Sequence, residues 1–236
     1  MNTVAKVMSE LKRKGNPLRI QAFANHGAPD NLYGVSVADM KLIAKKIRGE
    51  QKLAYGLYET GNGDAQYLAG MVADGSQMTK KLLDTWARNA SWQMVSEYTV
   101  PGVTCESKHR RDLAMKWIKS KKESVASSGW STYAGVVTVT PDEDLDLAEI
   151  KSLLKTVEKE INSAPNRVRY TMNGFVIATG TYITSLTKQS EKVAKAIGKV
   201  EVEMGGTACK VPLATAYIEK AIDKGRVGKK RKTARC

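Results

Sequence analysis

The chain of 236 residues is 42% hydrophobic and 26% charged, which is typical of a globular protein that buries a substantial core. Its 38 lysines and arginines exceed its 24 acidic residues, and the formal net charge of +14 favours a polyanionic partner such as nucleic acid. A surface charged only for solubility is the alternative. No apolar run approaches the roughly 20 residues of a membrane span, and residues 1–14 do not resemble a signal peptide. We therefore expect a cytoplasmic protein without a membrane partner.

Cysteine and histidine are scarce and widely spaced. The chain contains Cys105, Cys209 and Cys236, and its two histidines are His26 and His109. No pair of them has the spacing of metal ligands, and an odd number of distant cysteines does not predict a disulfide framework. Phosphate-binding GxxxxGK[ST] and nucleophile-elbow GxSxG motifs are also missing. We expect neither a metal nor a cofactor.

Helical periodicity dominates the sequence. From Val37 to Ile47 apolar residues recur at helical spacing behind Ser36, whose hydroxyl is predicted to cap the helix. Segments with the same spacing run from Leu147 to Ile161, from Val168 to Tyr182 and from Val211 to Ile222. Residues 134–140 are β-branched and strand-like, but they lie between helices without a partner strand, so we predict a buried helix.

These segments combine into predicted antiparallel helix pairs. The five candidate pairs are Ser36–Glu59, Asp64–Arg88, Ser91–Lys119, Lys122–Asn162 and Asn166–Val202. Their lengths of roughly 25–40 residues fit HEAT-like repeats, in which each pair buries its apolar face against its neighbours. The predicted fold is an all-α, HEAT-like or armadillo-type superhelix over residues 1–224, followed by a basic flexible tail, residues 225–236. A compact, non-repetitive α-domain is the alternative. Trp86, Trp117 and Trp130 are interpreted as core side chains.

The stretch from Asn89 to Glu97 carries the most specific signal. It predicts a helix that is capped by Ser91 and that presents Trp92, Val95 and Ser96 on one face. The stretch resembles the signature helix of the AlkD-like DNA alkylation repair family, which consists of HEAT-repeat DNA glycosylases. In that family the tryptophan is followed four residues later by the aspartate that performs the chemistry. Here Trp92 matches the tryptophan, and Ser96 takes the place of the aspartate.

The resemblance extends over roughly Leu32 to Tyr182. The segments Tyr33–Lys46, Gln66–Asp74 and Arg167–Phe175 resemble other helices of the family. In the last of these segments the family keeps an arginine, which Arg169 matches, followed by a second functional tryptophan. The place of that tryptophan falls at Asn173 or Gly174, with Phe175 adjacent.

The resemblance implies hydrolysis of the bond between deoxyribose and a cationic alkylated purine. That reaction needs a carboxylate to stabilise the developing positive charge on the sugar, and a neutral hydroxyl at Ser96 cannot supply this stabilisation. Glu97 is the nearest carboxylate in sequence, but one helical position is a turn of about 100°, which directs Glu97 away from Trp92. The sequence leaves open whether the chain is an enzyme. If it is active, the candidate catalytic residues are Trp92, Glu97 and Arg169.

Basic clusters supply candidate DNA contacts. One cluster lies on a predicted helix with an apolar face formed by Leu113, Ala114, Trp117 and Ile118, and another lies in the tail. Solvated charged faces are the alternative interpretation. Phosphate contacts of this kind would position DNA without reading its sequence. With Trp92, the candidate DNA-binding residues are Lys108, Arg110, Arg111, Lys119, Arg167, Arg169, Lys229, Lys230, Arg231 and Lys232.

Three hypotheses follow. We favour a monomeric member of the alkylation-repair family that binds damaged or distorted double-stranded DNA on a basic concave face with weak or no glycosylase activity. The first alternative is an active glycosylase that excises N3- or N7-alkylated purines. The second alternative is a HEAT-type scaffold for an acidic protein or for RNA.

Overall fold

The computed structural model describes residues 3–235, which form an all-helical fold with no strand in that range. The helices are α1 Val4–Arg13, α2 Pro17–Ala24, α3 Val37–Lys46, α4 Gln51–Glu59, α5 Gly63–Val72, α6 Lys80–Asn89, α7 Val100–Thr104, α8 Arg110–Ile118, α9 Glu123–Val139, α10 Leu147–Glu160, α11 Asn166–Tyr182, α12 Thr187–Ile197 and α13 Ala214–Asp223. A π-helical turn, Val95–Thr99, leads directly into α7. The predicted all-α class is confirmed, and the five predicted pairs correspond to α3–α4, α5–α6, α7–α8, α9–α10 and α11–α12.

Side-chain caps mark where several helices begin. The Ser36 hydroxyl accepts the Asp39 N–H at 3.0 Å, as predicted, and donates to the Asp39 carboxylate at 2.6 Å. The Asn62 side chain caps α5 by accepting the Ala65 N–H at 3.1 Å. Such bonds satisfy backbone donors that have no partner within the first turn of a helix.

The helices form two layers. One layer consists of elements that lie side by side, each in contact with the next. They are α3, α5, the π-helical turn with α7, α9, α11 and α13. We call this layer the row. Helices α4, α8 and α12 pack against α5, α9 and α11, and α10 packs against α12, so the second helices of the pairs form a layer behind the row. This arrangement buries the apolar face of each pair against its neighbours, as expected for stacked helical repeats.

Aromatic side chains fill the core between the layers. Trp86, Trp117 and Trp130 are each about 1% exposed, which confirms their interpretation as core residues. The ring of Tyr58 stacks on Trp86 with centroids 3.8 Å apart, and Phe175 lies 5.3 Å from Trp130. The strand-like stretch 134–140 is largely the buried C-terminal part of α9, as predicted.

The predicted cap at Ser91 is wrong. The Ser91 hydroxyl is buried without a protein partner in residues 3–235, and its N–H donates to Gln66 Oε1 at 3.0 Å. The helix instead begins after Trp92, whose carbonyl accepts the N–H groups of Val95 and Ser96. The π-helical turn follows at once, and Pro101 lies just beyond it, where its missing N–H interrupts the α-helical bonding pattern.

The C-terminal residues 225–235 make contacts with the body of the fold. Within residues 225–235, the Arg231 N–H donates to the Thr138 carbonyl at 3.0 Å, and Lys230 bonds to the Val137 carbonyl at 2.8 Å and to Asp142 at 2.7 Å. These bonds place the segment against the C-terminal end of α9, because a backbone N–H and the Lys230 ammonium there meet carbonyls that no helical N–H satisfies. Cys236 lies outside the described residues, and both the domain boundary at residue 224 and the flexibility of the tail stay predictions.

No helix between residues 3 and 235 is long and apolar enough to cross a bilayer.

Candidate nucleic-acid interface

The row has an open side that carries several clefts. We call it the groove face and define it by the residues that line these clefts on successive helices. They are Lys41 of α3, Tyr67 and Gly70 of α5, Tyr98 of the π-helical turn, Gly102 of α7, Ser131 and Gly135 of α9, and Tyr170 and Gly174 of α11. A surface that crosses several stacked helices is the usual binding surface of helical-repeat proteins.

Trp92 lies beside the groove face, in a cleft of about 430 Å³ that we call the Trp92 cleft. Its indole ring is partly buried and packs against Phe23 with centroids 5.4 Å apart and planes tilted by 44°. The indole Nε1 is buried and has no protein partner within the described range 3–235. Other aromatic rings complete the walls, namely Tyr67, Tyr98 and Tyr170.

Ser96 and Glu97 are both buried, but they face different surroundings. The Ser96 carbonyl accepts the Ser128 hydroxyl at 2.7 Å, and Ser96 lines a second cleft of about 680 Å³ beside Trp92. The Glu97 carboxylate receives two bonds from Arg167, from Nε at 2.8 Å and from Nη2 at 2.6 Å. Burial raises the pKa of Glu97, and the hydrogen bonds from Arg167 oppose that rise.

Arg167 is the arginine that the structure brings to Trp92. Its guanidinium lies 4.3 Å from the centroid of the Tyr170 ring, which is close enough for a cation–π contact. Its backbone N–H donates to Glu123 Oε1 at 2.6 Å. Its Nη2 donates to Glu97 and its Nη1 to the thioether of Met204, and the predicted contact of Arg167 with DNA stays a prediction.

Arg169, the match to the family arginine, has a different location. Its Nη2 reaches Asn166 Oδ1 at 3.4 Å, and its Nε is buried without a protein partner within residues 3–235. It is absent from the residues that line the Trp92 cleft and the second cleft. A separation of two positions in sequence corresponds to a rotation of about 200° around a helix, so Arg167 and Arg169 point to opposite sides of α11.

No aromatic side chain stands at the expected place of the second tryptophan. Asn173 is buried and donates to the Pro212 carbonyl at 2.8 Å, and Gly174 lines a cleft without a side chain. Phe175 packs in the core against Trp130 and Tyr133. The aromatic surface beside Trp92 therefore comes from other rings that line its cleft, which the sequence analysis did not identify as neighbours of Trp92. They are Phe23, Tyr67, Tyr98 and Tyr170.

Two further carboxylates lie near Trp92, and sequence reasoning missed both. Asp64 lines the Trp92 cleft, but it accepts backbone N–H groups of Tyr33, Gly34 and Val35 at 2.6, 2.9 and 3.2 Å. Burial raises the pKa of Asp64, and these three bonds oppose the rise. Glu123 lines the second cleft, and one of its oxygens accepts the Arg167 N–H.

The basic cluster of α8 lies apart from the groove face. Arg111 pairs with Glu149 at 2.8 Å and Asp146 at 2.9 Å, which connects α8 to α10 behind the row. Leu113, Ala114 and Trp117 form the buried face of α8, as predicted. Lys108, Arg110, Arg111 and Lys119 line none of the clefts described above. Their contact with DNA stays a prediction.

The tail crosses the groove face and presents positive charge there. Arg235 donates to the carbonyls of Gly70 and Ala73 at 2.6 Å each and forms an ion pair with Glu106. Together with Lys230, Arg235 anchors the segment. Arg231 and Lys232 lie between the two anchors and Lys229 precedes both anchors, and all three of these side chains are exposed. Arg231 thus lines a groove-face cleft and Lys230 serves as an anchor, while contact of the tail with DNA stays a prediction.

Replacing Arg235 with alanine is expected to release the end of the tail. Hydrogen bonds to charged groups contribute about 1.5–3 kcal/mol, and this arginine makes several of them. Limited trypsin digestion followed by mass spectrometry should show faster cleavage between residues 226 and 235 than in the parent protein. Lys232→Ala, which removes an exposed cation, is the control. Equal protection of the tail in Arg235→Ala and in the parent would contradict the anchoring role.

Comparison with known proteins identifies the family. The family model described as "DNA alkylation repair enzyme" matches residues 7–210. Uncharacterized proteins of Listeria innocua and Listeria monocytogenes are 34% and 33% identical over 227 residues, which cover 94% of this chain and 98% of each relative.

A solved structure extends this result to the whole fold. It is described as "a new family of proteins related to the HEAT-like repeat DNA glycosylases with affinity for branched DNA structures". The two chains superpose with a TM-score of 0.90 at 35% identity, and the match covers 100% of both. The present chain belongs to the DNA alkylation repair enzyme family and has its HEAT-like helical repeat fold.

Proposed function

We propose that this protein binds branched or otherwise distorted DNA on the groove face and does not excise bases from it. The observation that carries the proposal is the chemistry beside Trp92. Ser96 occupies the place of the family aspartate, and the adjacent Glu97 is held in a buried ion pair. The groove face therefore combines a binding surface with a disabled reaction centre.

The loss of the carboxylate argues against base excision on physical grounds. Breaking a sugar–base bond creates positive charge on the sugar, and removing a preorganised stabilising group commonly costs 10²–10³-fold in rate. The Ser96 hydroxyl is neutral. Both Glu97 oxygens accept hydrogen bonds from Arg167, so this carboxylate is already neutralised by a cation.

Charge and similarity support DNA as the partner. The net charge of +14 favours a polyanion, and Lys229, Arg231 and Lys232 are exposed on the tail. The similar solved structure belongs to proteins with affinity for branched DNA structures. We extend that affinity to this chain because the match covers its full length. We propose that the chain binds DNA as a monomer. RNA or an acidic protein as partner is tested by competition against the same DNA.

An active glycosylase is the second candidate, and Glu123 is the observation that favours it. Glu123 lines the second cleft together with Trp92 and Ser96. Its Oε1 accepts the Arg167 N–H, and its Oε2 takes no part in that bond. Glu123 would bring a carboxylate from α9 to the second cleft, whereas Glu97 of the π-helical turn does not line that cleft. Arg169 has no place in this site.

An excision assay separates these two functions. Duplex DNA carrying N7-methylguanine or N3-methyladenine is incubated with the protein, and abasic sites are then cleaved with alkali. We expect release of the damaged base at the spontaneous rate only. Release well above that rate that is lost in Glu123→Gln, but kept in the exposed-site variant Glu219→Gln, would overturn the proposal and establish Glu123 as the carboxylate.

A further inference from the structure

We propose that the Trp92 cleft receives a single unpaired nucleobase from DNA bound on the groove face. The inference rests on the proposed function, because it explains how a groove that binds DNA backbones can favour branched DNA. It assigns a ligand class to a cleft that the missing reaction centre leaves without a role. Size, wall chemistry and the cost of exposing a base each support it.

The volume and walls of the cleft suit a planar aromatic ligand. Its 430 Å³ falls in the range of about 300–1,000 Å³ typical of small-molecule sites. Phe23, Tyr67, Trp92, Tyr98 and Tyr170 supply aromatic surface from four separate parts of the chain. Rings held on packed helices lose little conformational freedom when a base stacks against them.

The polar groups of the cleft favour a base over a phosphate. Asp64 is committed to three backbone donors, and Arg167 is committed to Glu97. A phosphate inside would therefore meet the Asp64 carboxylate and an arginine that is already paired with Glu97. The exposed Lys210 and the half-buried His26 also line the cleft, where they can contact the backbone of the same nucleotide. A base held mainly by stacking is accepted whatever its identity, since every base has an aromatic face.

The residues 198–213 close one side of the cleft. Met204 contacts Arg167 through its sulfur at 3.5 Å, and both Met204 and Cys209 line the cleft. Gly205 has a positive φ of 70° and approaches Asn25 so closely that a Cβ would lie 1.5 Å from the Asn25 carbonyl oxygen. This segment thus bridges α11 and the end of α2. The segment therefore forms one wall of the cleft that a single base would stack within.

Energetics explain why the unpaired base would come from a branch or gap. Taking a base out of an intact duplex costs a few kcal/mol, and the cost is least where the base is already unpaired. Stacking on aromatic side chains returns about 1–3 kcal/mol per base. Occupation of the Trp92 cleft therefore favours DNA with an unpaired base near the bound backbone and gives little to a perfect duplex.

Photocrosslinking tests the placement. A four-way DNA junction with one unpaired 5-iodouracil at its centre is compared with the same junction carrying 5-iodouracil within a paired arm. After irradiation, peptides are identified by mass spectrometry. We expect crosslinks to Trp92, Tyr98 or Tyr170 only from the unpaired position. Crosslinks restricted to the tail, or equal crosslinking from the paired position, would overturn the inference.

Binding measurements with matched variants provide a second test. Trp92→Ala should weaken binding to the junction with the unpaired base by about 5- to 150-fold, the equivalent of 1–3 kcal/mol of stacking. Its affinity for a linear duplex should fall by a much smaller factor, and Trp92→Phe should restore most of the loss. Tyr217→Ala, which removes an exposed tyrosine of α13, is the control and should behave as the parent. Thermal unfolding confirms that each variant is folded.

The outcomes separate this inference from the proposed function. If the parent protein binds the junction no better than the linear duplex, the proposed function fails whatever Trp92 does. If the parent prefers the junction but Trp92→Ala weakens both DNAs by the same factor, the proposed function stands and the nucleobase site is wrong.

Discussion

Arg167→Ala is expected to lower the free energy of unfolding by about 3–5 kcal/mol, the cost of leaving a buried carboxylate without its partner. Glu97 is 2% exposed at its side chain and Arg167 is 16% exposed, so water cannot replace the lost cation at Glu97. The substitution also removes the contact with Tyr170. Urea denaturation at neutral pH measures the change.

A double variant shows whether the charge or the packing is responsible. Replacing both Glu97 and Arg167 with methionine removes the two charges and keeps side chains of similar length. This variant should be more stable than Arg167→Ala, because uncharged pairs often replace buried ion pairs at little cost. Lys199→Ala, which breaks an exposed pair with Glu201, should leave the unfolding midpoint almost unchanged. A double variant as unstable as Arg167→Ala would contradict the electrostatic explanation.

The pH dependence of Arg167→Ala provides an independent check. Burial raises the pKa of Glu97, and without Arg167 nothing equivalent opposes that rise. A raised pKa in the folded state means that the folded protein binds more protons than the unfolded chain, so stability falls as pH increases. The deficit of Arg167→Ala should therefore be small near pH 4, below the pKa of an unfolded glutamate, and full at about pH 8. A deficit that does not change with pH would contradict this account.

Replacing Lys229, Arg231 and Lys232 together with glutamine is expected to weaken DNA binding and flatten its salt dependence. Each phosphate contact contributes about 0.9 to the slope of log affinity against log salt, so three lost contacts reduce the slope by about 2–3. The anchors Lys230 and Arg235 are retained, so the tail should stay in place. Fluorescence anisotropy with a labelled junction across a salt series gives the slope.

The control for this variant carries the same change in charge at another surface. Lys188, Lys192 and Lys195 are exposed on α12, which packs behind α11 and lines no groove-face cleft. Their replacement with glutamine should change the slope much less. Equal slopes for the two triple variants would show that DNA binding depends on the net charge of the protein and not on the charges of the tail at the groove face.

Much of the fold could be predicted because helical periodicity depends on local sequence. Residues 134–140 had strand-like composition but were placed correctly in α9, because no partner strand was available. The prediction of a cap at Ser91 was wrong because the contacts that decide it lie outside the local sequence pattern. Gln66, 25 residues earlier, takes the Ser91 N–H, and Pro101 disturbs the bonding pattern that follows. The contacts of the tail could not be predicted, because they are made with carbonyls at distant helix ends, which composition does not reveal.

The site was harder to predict because its partners are far apart in sequence. Glu97 and Arg167 are separated by 70 positions, and only folding shows that they neutralise each other. Sequence did provide one usable signal, since a carboxylate within a buried helix needs a cation nearby. Choosing Arg167 over Arg169 required knowing which side of α11 faces the π-helical turn. Phe23, Asp64 and Glu123 carried no local motif that marked them as neighbours of Trp92.

The central claim is that the groove face binds branched DNA in preference to linear DNA. The most direct measurement is a competition at about 150 mM salt, where exposed charges are screened beyond about 8 Å. A labelled four-way junction bound to the protein is challenged with unlabelled junction or with linear duplex of the same length and composition. We predict that the junction displaces the probe at concentrations at least about tenfold lower, a difference of 1.4 kcal/mol. Displacement by both competitors at the same concentration would contradict the account.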